Sequence, residues 1–521
     1  MRKVCVIQVL GRLRLGRESY KKVTFRIKNE KYHSILSGEA MCKYYNEKKE
    51  CECKLYILAP ESLITSKITG WRKISSFFKL FGKNMGKFTE VIKIVKEYEE
   101  NVKKCFINEL PVMNIENVYL KIIPSIGYYK ALEYSIIYEG LKFNDIDLYL
   151  FLTLLDIINE YNEIIVDVST GHNIYTTALI RALRNIIVAY KFSILDRYLL
   201  GQKYDDKNFF IAVAPPIGDP KATYIISEHK TSVPIFLRYP LDEERINTIN
   251  IARILGVQGV LIKSDDILKD IANSFKFLKS YLKYGLKLHN AIKYNTPLVL
   301  YFHTEILNGQ EYSVNEVNKF INELRELILA SLLRFKINVI EGNRQIRILR
   351  THNIDRDLVL DTLLSIKITQ SLLRFADTIK YDMVYSKGVP LSKLRERFIP
   401  KKQGIKGIYD KFPELYLNEI LLTRDLDEIE DVAQKLGEGK YIVLSRPFTL
   451  DESEETNNRG KEEEWSKPKR GDIRRNFFAH SGLLRQIVGI YKEKGEIYLK
   501  YDMNRKRTDI NIDKWLLEAG T

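Results

Sequence analysis

A single change in hydrophobic pattern, near residue 235, constrains the fold of this chain more than any other feature. Before it, short apolar runs alternate with stretches of helical period: Lys3 to Val9, Leu55 to Leu58, Val118 to Ile123, Ile164 to Val168 and Phe209 to Ala214. Strands buried on both faces need runs of this kind, so a mostly parallel α/β sheet is expected. After the turn-rich Arg238-Tyr-Pro-Leu-Asp, apolar residues recur at helical spacing, notably over Asn315 to Lys336 and Asp355 to Tyr381. The C-terminal half therefore reads as helical. At 521 residues the chain exceeds what one hydrophobic core normally serves, and two or three domains are expected.

Two segments of the sheet region suit a phosphate-bearing ligand. In Asp167-Val-Ser-Thr-Gly-His-Asn173 a buried strand gives way to small and polar residues, and a helix follows through Thr177, Ala178, Ile180 and Leu183. Ligands of open α/β sheets sit at the carboxyl ends of strands, where a helix N-terminus offers free N–H groups. Thr170, His172 and Asn173 are expected to face that crevice, and the alternative for Ser169 to Asn173 is a plain helix cap. The first strand ends in Gly11-Arg-Leu-Arg-Leu-Gly16, a second candidate phosphate loop that includes Arg12. Its glycine spacing resembles a P-loop, but Arg17 and Glu18 stand where Lys and Ser or Thr are required, which argues against nucleotide hydrolysis.

Near the C-terminus, Arg475-Asn-Phe-Phe-Ala-His480 sets a permanent cation, an amide and an imidazole on one short amphipathic helix. An Arg and a His at the same spacing recur at Arg347 and His352, so context rather than spacing distinguishes the first pair. RNA carries its own nucleophile, the 2′-OH, so a metal-free site must align it, move protons and offset charge on the phosphorane. His480 suits the proton transfer, Arg475 the charge, and Asn476 the holding of the imidazole or the substrate. At about 100° per residue, Arg475 lies about 140° from His480 around the helix, so a complete site calls for two such helices facing each other. The bland alternative for His480 is a packed or capping histidine. The charged stretch Asp451 to Arg470 reads as a flap beside the site or as a solvated linker.

The two motifs resemble those of a known family. Arg475 to His480 is similar to the R-N-x-x-A-H signature of HEPN ribonucleases, and Asp167 to Asn173 resembles the D-x-T-H-G-x-N motif of CARF proteins. Asp167, Gly171 and Asn173 match that motif; Ser169 replaces its Thr, and Thr170 stands where it has His. In this order the pair resembles the CARF-HEPN accessory ribonucleases of type III CRISPR systems. The resemblance implies a Rossmann-like CARF domain over 1–235, a helical connector over 236–345 and a helical HEPN domain over 346–521, an α/β plus all-α architecture. It also implies a homodimer or higher even oligomer whose CARF domains bind a cyclic oligoadenylate and thereby activate cleavage of single-stranded RNA. Cyclic tetra-adenylate is the expected ring, because its symmetry suits a two-fold site. Gly11, Arg12, Gly16, Asp167, Ser169, Thr170, Gly171, His172 and Asn173 are the expected ligand contacts. Arg475, Asn476 and His480 are the expected catalytic groups, with no metal or other cofactor and with 2′,3′-cyclic phosphate products. The competing reading is a ligand-responsive nucleic-acid-binding regulator without nuclease activity.

The remaining composition is compatible with this. Net charge is +16, which suits a polyanionic partner. The N-terminus opens a strand rather than a signal peptide, and no apolar run approaches a membrane span, so a cytoplasmic protein without membrane contact is expected. The five cysteines, Cys5, Cys42, Cys51, Cys53 and Cys105, lack zinc-finger spacing. Buried free thiols are expected, with a disulfide as the alternative.

Overall fold

The computed structural model describes residues 2–11, 22–65, 117–131, 134–170, 173–200, 207–217, 221–233, 238–256, 266–307, 314–350, 353–384, 386–399, 419–443, 470–484, 487–502 and 510–519, with a few isolated positions beside them. The N-terminal sheet contains β1 (Lys3–Val9), β2 (Val23–Ile27), β3 (Glu30–Ser34), β4 (Glu52–Pro60), β5 (Val118–Ile123), β8 (Glu163–Asp167), β9 (Asn208–Val213) and β10 (Thr223–Thr231). Its order is β3-β2-β10-β9-β8-β1-β4-β5. The five strands β9-β8-β1-β4-β5 are parallel throughout, and β10 and β3 join in antiparallel fashion.

Strand β1 shows why the central run is apolar on both faces. Cys5, Ile7 and Val9 enter one core cluster, whereas Val4, Val6 and Leu10 enter another. Side chains of successive strand residues point to opposite faces, so a strand covered on both sides needs both sets apolar. On the first face lie α2 (Phe143–Ile157) and α3 (Asn173–Ser193), and α1 (Ser37–Lys48) lies on the second. In α3 the buried residues Tyr175, Ala178, Leu179, Ala182, Leu183 and Ile186 recur at helical spacing.

The first-face cluster continues without a break into the helices that follow: α4 (Asp266–Lys293), α5 (Val314–Leu333), α6 (Arg356–Lys380), α7 (Leu391–Phe398), α8 (Glu419–Gln434), α9 (Arg470–Ala479) and α10 (Ile512–Glu518). Helix α6 ties the two halves together. Its Ser371 hydroxyl donates to Asp196, just beyond α3, at 2.6 Å, and Arg374 reaches both Asp196 and the Ser193 carbonyl. At its start, Arg356 pairs with the fully buried Asp147 of α2.

Strands also interrupt the region read as helical. Strands β11 (Phe335–Ile340) and β12 (Gln345–Arg350) form a sheet with β6 (Gly127–Ala131) and β7 (Tyr134–Glu139), in the order β11-β12-β7-β6. The expected helix Asn315 to Lys336 therefore stops at Leu333. In β12, Ile346, Ile348 and Arg350 are buried while Arg347 and Leu349 are exposed, a two-residue period incompatible with a helix face. A further sheet, antiparallel and in the order β13-β16-β15-β14, joins β13 (Val389–Pro390), β14 (Tyr441–Val443), β15 (Val488–Glu493) and β16 (Glu496–Tyr501).

The cysteines divide. Cys5 and Cys51 are buried free thiols, and burial pushes the Cys5 thiol well above its ordinary value. Cys42 and Cys53 instead form a disulfide, because the turn from α1 into β4 brings their Cα atoms to 5.2 Å. Cys105 lies outside the described residues. No described helix is long and apolar enough to cross a membrane.

Candidate functional site

The chain builds two polar constellations, one on the N-terminal sheet and one on α9. After β1 the chain forms β2 and β3 at the far edge, then places β4 and β5 on one side of β1 and β8 and β9 on the other. The strand order thus reverses between β1 and β8, the position where open α/β sheets hold ligands. Both sequence-predicted loops leave from this point. Gln8 and Asp167 are register partners at the carboxyl ends of these two strands.

Gln8 is fully buried and organises the crevice floor. Its amide nitrogen donates to Ser37 Oγ at 3.0 Å and to Thr170 Oγ1 at 2.9 Å, and its amide oxygen accepts from the Gly38 N–H at 3.1 Å. Glycine at 38 is required by proximity: a Cβ there would lie 2.7 Å from both Gln8 Oε1 and Leu55 Cδ1. Asp167, also buried, accepts from the Ser37 hydroxyl and, at 2.9 Å, from the Ser169 N–H. Burial pushes its carboxyl above the ordinary value, and hydrogen bonds from Ser169 and Ser37 only partly offset that. The Ser169 hydroxyl accepts from the Ala214 N–H at 2.7 Å, and the Thr170 hydroxyl donates to the Val9 carbonyl at 2.8 Å.

The structure therefore brings Asp167, Ser169 and Thr170 together, but their polar atoms serve to lock β1, β8, β9 and the start of α1 to one another. Thr170 was expected to present its side chain to the crevice; its hydroxyl is instead taken up by Gln8 and Val9. Asn173 begins α3 and is exposed, and Gly11 is half-buried at the end of β1. Arg12, Gly16, Gly171 and His172 lie outside the described residues. Sequence reading missed Gln8 and Ser37, although a glutamine within the apolar run of β1 was a readable signal.

The second constellation is built on α9. Its buried side is Ile473 and Phe477, with Phe477 against Trp515 of α10 at a centroid distance of 5.6 Å. Phe478 packs on Tyr294, and Arg474 pairs with Glu518 at 3.1 Å. With those contacts fixing the helix, Arg475 and Asn476 are left exposed on its outer side. His480 follows the last helical residue, so it sits at a helix end. The chain then reverses through Ser481 (φ 49°) and Gly482 (φ 77°), with the Gly482 N–H returning to the Phe477 carbonyl at 2.8 Å. Tyr501 of β16 donates to the Gly482 carbonyl at 2.8 Å and holds the turn in place.

A group not foreseen from sequence stands behind the imidazole. His480 Nδ1 is 3.4 Å from Asp425 Oδ1 on α8; the Asp425 side chain is 5% exposed and that of His480 41%. Asp425 falls on the apolar stripe of its helix, among the buried Leu422, Leu426, Ile429 and Ala433. A carboxylate at such a position was the available signal. By contrast, Arg347 lies on β12 and its guanidinium donates to Glu139 at 2.6 Å, while His352 and the charged stretch 451–469 lie outside the described residues.

Comparison with protein families matches both constellations. Residues 5–205 match the model described as CRISPR system endoribonuclease Csx1, CARF domain. Residues 415–505 match CRISPR system endoribonuclease Csx1, HEPN domain, a span that includes Asp425, Arg475, Asn476 and His480. No individual curated protein matches the chain.

Proposed function

This chain belongs to the CRISPR-associated CARF-HEPN family, and we propose that it is the ligand-gated endoribonuclease of a type III system. A cyclic oligoadenylate, most simply cyclic tetra-adenylate, binds at the β1/β8 crevice across a homodimer. Its binding favours an arrangement of the α9 helices that cleaves single-stranded RNA in the cytoplasm. The observation that carries this reading is the presentation of α9: the buried Phe477 fixes the helix, Arg475 and Asn476 are exposed, and His480 stands at its end.

The chemistry follows from those groups. The imidazole of His480 takes the 2′-OH proton as O2′ attacks phosphorus, and the bond from phosphorus to O5′ breaks. Arg475 offsets the charge on the equatorial oxygens, where a guanidinium fork binds two of them at once. Asn476 orients the ribose or the imidazole. The products are a 2′,3′-cyclic phosphate and a 5′-hydroxyl, and no metal takes part. Since positions 475 and 480 fall about 140° apart on a helical wheel, a complete site uses Arg475 of one protomer with His480 of its partner.

Gating is supported by a continuous packed route. Helix α3 starts beside the crevice and ends at Ser193, whose carbonyl accepts from Arg374 of α6 at 2.6 Å. Coupling requires that the ligand bind the cleavage-competent state more tightly than the idle one. The deciding experiment incubates purified protein with labelled single-stranded RNA, with and without each cyclic oligoadenylate. Cleavage should depend on one ring size and leave 2′,3′-cyclic phosphate ends. Equal cleavage without any ring, or RNA binding without cleavage, would overturn the proposal.

A further inference from the structure

We propose that Asp425 is the positioning residue of His480: it accepts the Nδ1–H of the imidazole and so leaves Nε2 as the nitrogen that takes the 2′-OH proton. The inference rests on the reading of His480 as the proton-transfer group and adds a residue to that site.

Three observations carry it. Asp425 Oδ1 is 3.4 Å from His480 Nδ1, a separation within reach of a hydrogen bond that tightens when substrate closes the site. The carboxylate is almost wholly buried on the apolar stripe of α8, whereas a carboxylate there with no task would be displaced by any aliphatic side chain of similar volume. Its other oxygen, Oδ2, is buried with no hydrogen-bond partner. The neighbouring Arg424 leaves it unpaired: it approaches the same Oδ1, at 3.3 Å, and is 54% exposed.

The geometry has a direct chemical consequence. A neutral imidazole carries one N–H, and the acceptor that holds this hydrogen determines which nitrogen keeps its lone pair. With Asp425 on Nδ1, the lone pair is on Nε2. The 2′-OH proton then moves to Nε2, the O2′–P bond forms, the P–O5′ bond breaks, O5′ takes a proton from water, and the imidazolium returns its proton to the hydroxide left behind. Asp425 stabilises the imidazolium formed in between by its fixed charge. Asparagine cannot do this, because its amide can donate to Nδ1 and thereby favour the opposite tautomer.

The test uses Asp425→Asn in the full-length protein, activated by cyclic tetra-adenylate. We expect kcat for RNA cleavage to fall about 10²-fold, with KM and thermal midpoint nearly unchanged, while Asp425→Glu recovers part of the rate. In a His480→Ala background, Asp425→Asn should cost nothing further, since a residue that acts through another has no effect once that other is gone. A further loss in the double variant, or full activity of Asp425→Asn beside an inactive His480→Ala, would overturn the assignment of Asp425 alone. Normal cleavage by His480→Ala would instead overturn the reading beneath it. Should Asp425→Asn fail to fold, ¹⁵N NMR of histidine-labelled wild-type protein decides the question: the neutral His480 ring should carry its hydrogen on Nδ1, and an Nε2–H ring refutes the proposal.

Discussion

Replacing Gln8 by leucine separates the floor of the sensor crevice from the sheet that carries it. The two side chains are close in size, so the change deletes hydrogen bonds without opening a large void. Gln8 makes three such bonds, to Ser37, Thr170 and the Gly38 N–H. After substitution Ser37 still donates to Asp167 and Thr170 still donates to the Val9 carbonyl, so neither hydroxyl is stranded. The Gly38 N–H alone loses its acceptor. A stranded buried donor costs ~1–3 kcal/mol and each lost neutral hydrogen bond ~1 kcal/mol, against a gain of ~1–2 kcal/mol for burying the leucine. The net cost is therefore ~1–4 kcal/mol, enough to lower the midpoint of the N-terminal domain. At the crevice, Thr170 loses one of its two anchors, and a ligand must restore the order of that residue at ~1–2 kcal/mol per residue fixed. Since 1.4 kcal/mol is about tenfold, affinity for cyclic tetra-adenylate should fall roughly 5- to 30-fold. Calorimetric titration and the activator dependence of RNA cleavage both read this. At saturating activator the cleavage rate should match wild type, because the α9 site is untouched. A lower midpoint with unchanged affinity would show that the β1/β8 crevice is not where the ring binds.

Other expectations concern the nuclease site and the link between the halves. Arg475→Ala and His480→Ala should each reduce activated cleavage about 10²- to 10⁴-fold with ligand affinity unchanged, while Arg347→Ala and His352→Ala cleave normally; half-activity in either of the first two refutes the assignment. Cleavage should persist in excess chelator, and a loss that magnesium or manganese reverses would show a metal-dependent mechanism. Burial pushes the Asp196 carboxyl up, but hydrogen bonds from Arg374 and Ser371 outweigh it and hold the group below its ordinary value of 3.8. The stability it confers is thus present above that value and lost as pH falls through the lower, folded one. Asp196→Asn should accordingly flatten the acid limb of thermal stability below about pH 4; an unchanged limb would show that the clamp on α6 contributes nothing.

The parallel strands were legible because burial on both faces leaves a continuous apolar run. The expected Lys3 to Val9 and Val118 to Ile123 coincide with β1 and β5. Strands with one wet face left a weaker trace. In β12 the polar-apolar alternation holds only over Gln345 to Ile348 and breaks at Leu349 and Arg350, and the strand lies between two long helices whose period dominates the window. The β15–β16 hairpin turns at Lys494 and Gly495, both at positive φ, a signal carried by two residues.

The two sites were legible to different depths for the same reason: a sequence motif exposes only partners that are near in the chain. Arg475, Asn476 and His480 lie within six positions and could be read as a group. Asp425 precedes His480 by 55 positions and meets it only after α8 packs beside the turn that follows α9. The same holds at the crevice, where Gln8 and Thr170 are 162 positions apart. There the motif residues Asp167, Ser169 and Thr170 were legible as a set, whereas the hydrogen bonds that their hydroxyl and carboxyl groups make to neighbouring strands and to α1 were not. A polar residue on an otherwise apolar strand or stripe, as at Gln8 and Asp425, marks such distant partners. Burial of an unpaired amide or carboxylate is costly enough that each must find its counterpart elsewhere in the fold. On that argument the orphaned Oδ2 of Asp425 is an informative atom of the C-terminal domain, since it is a buried carboxylate oxygen without a partner in a residue that faces an exposed imidazole.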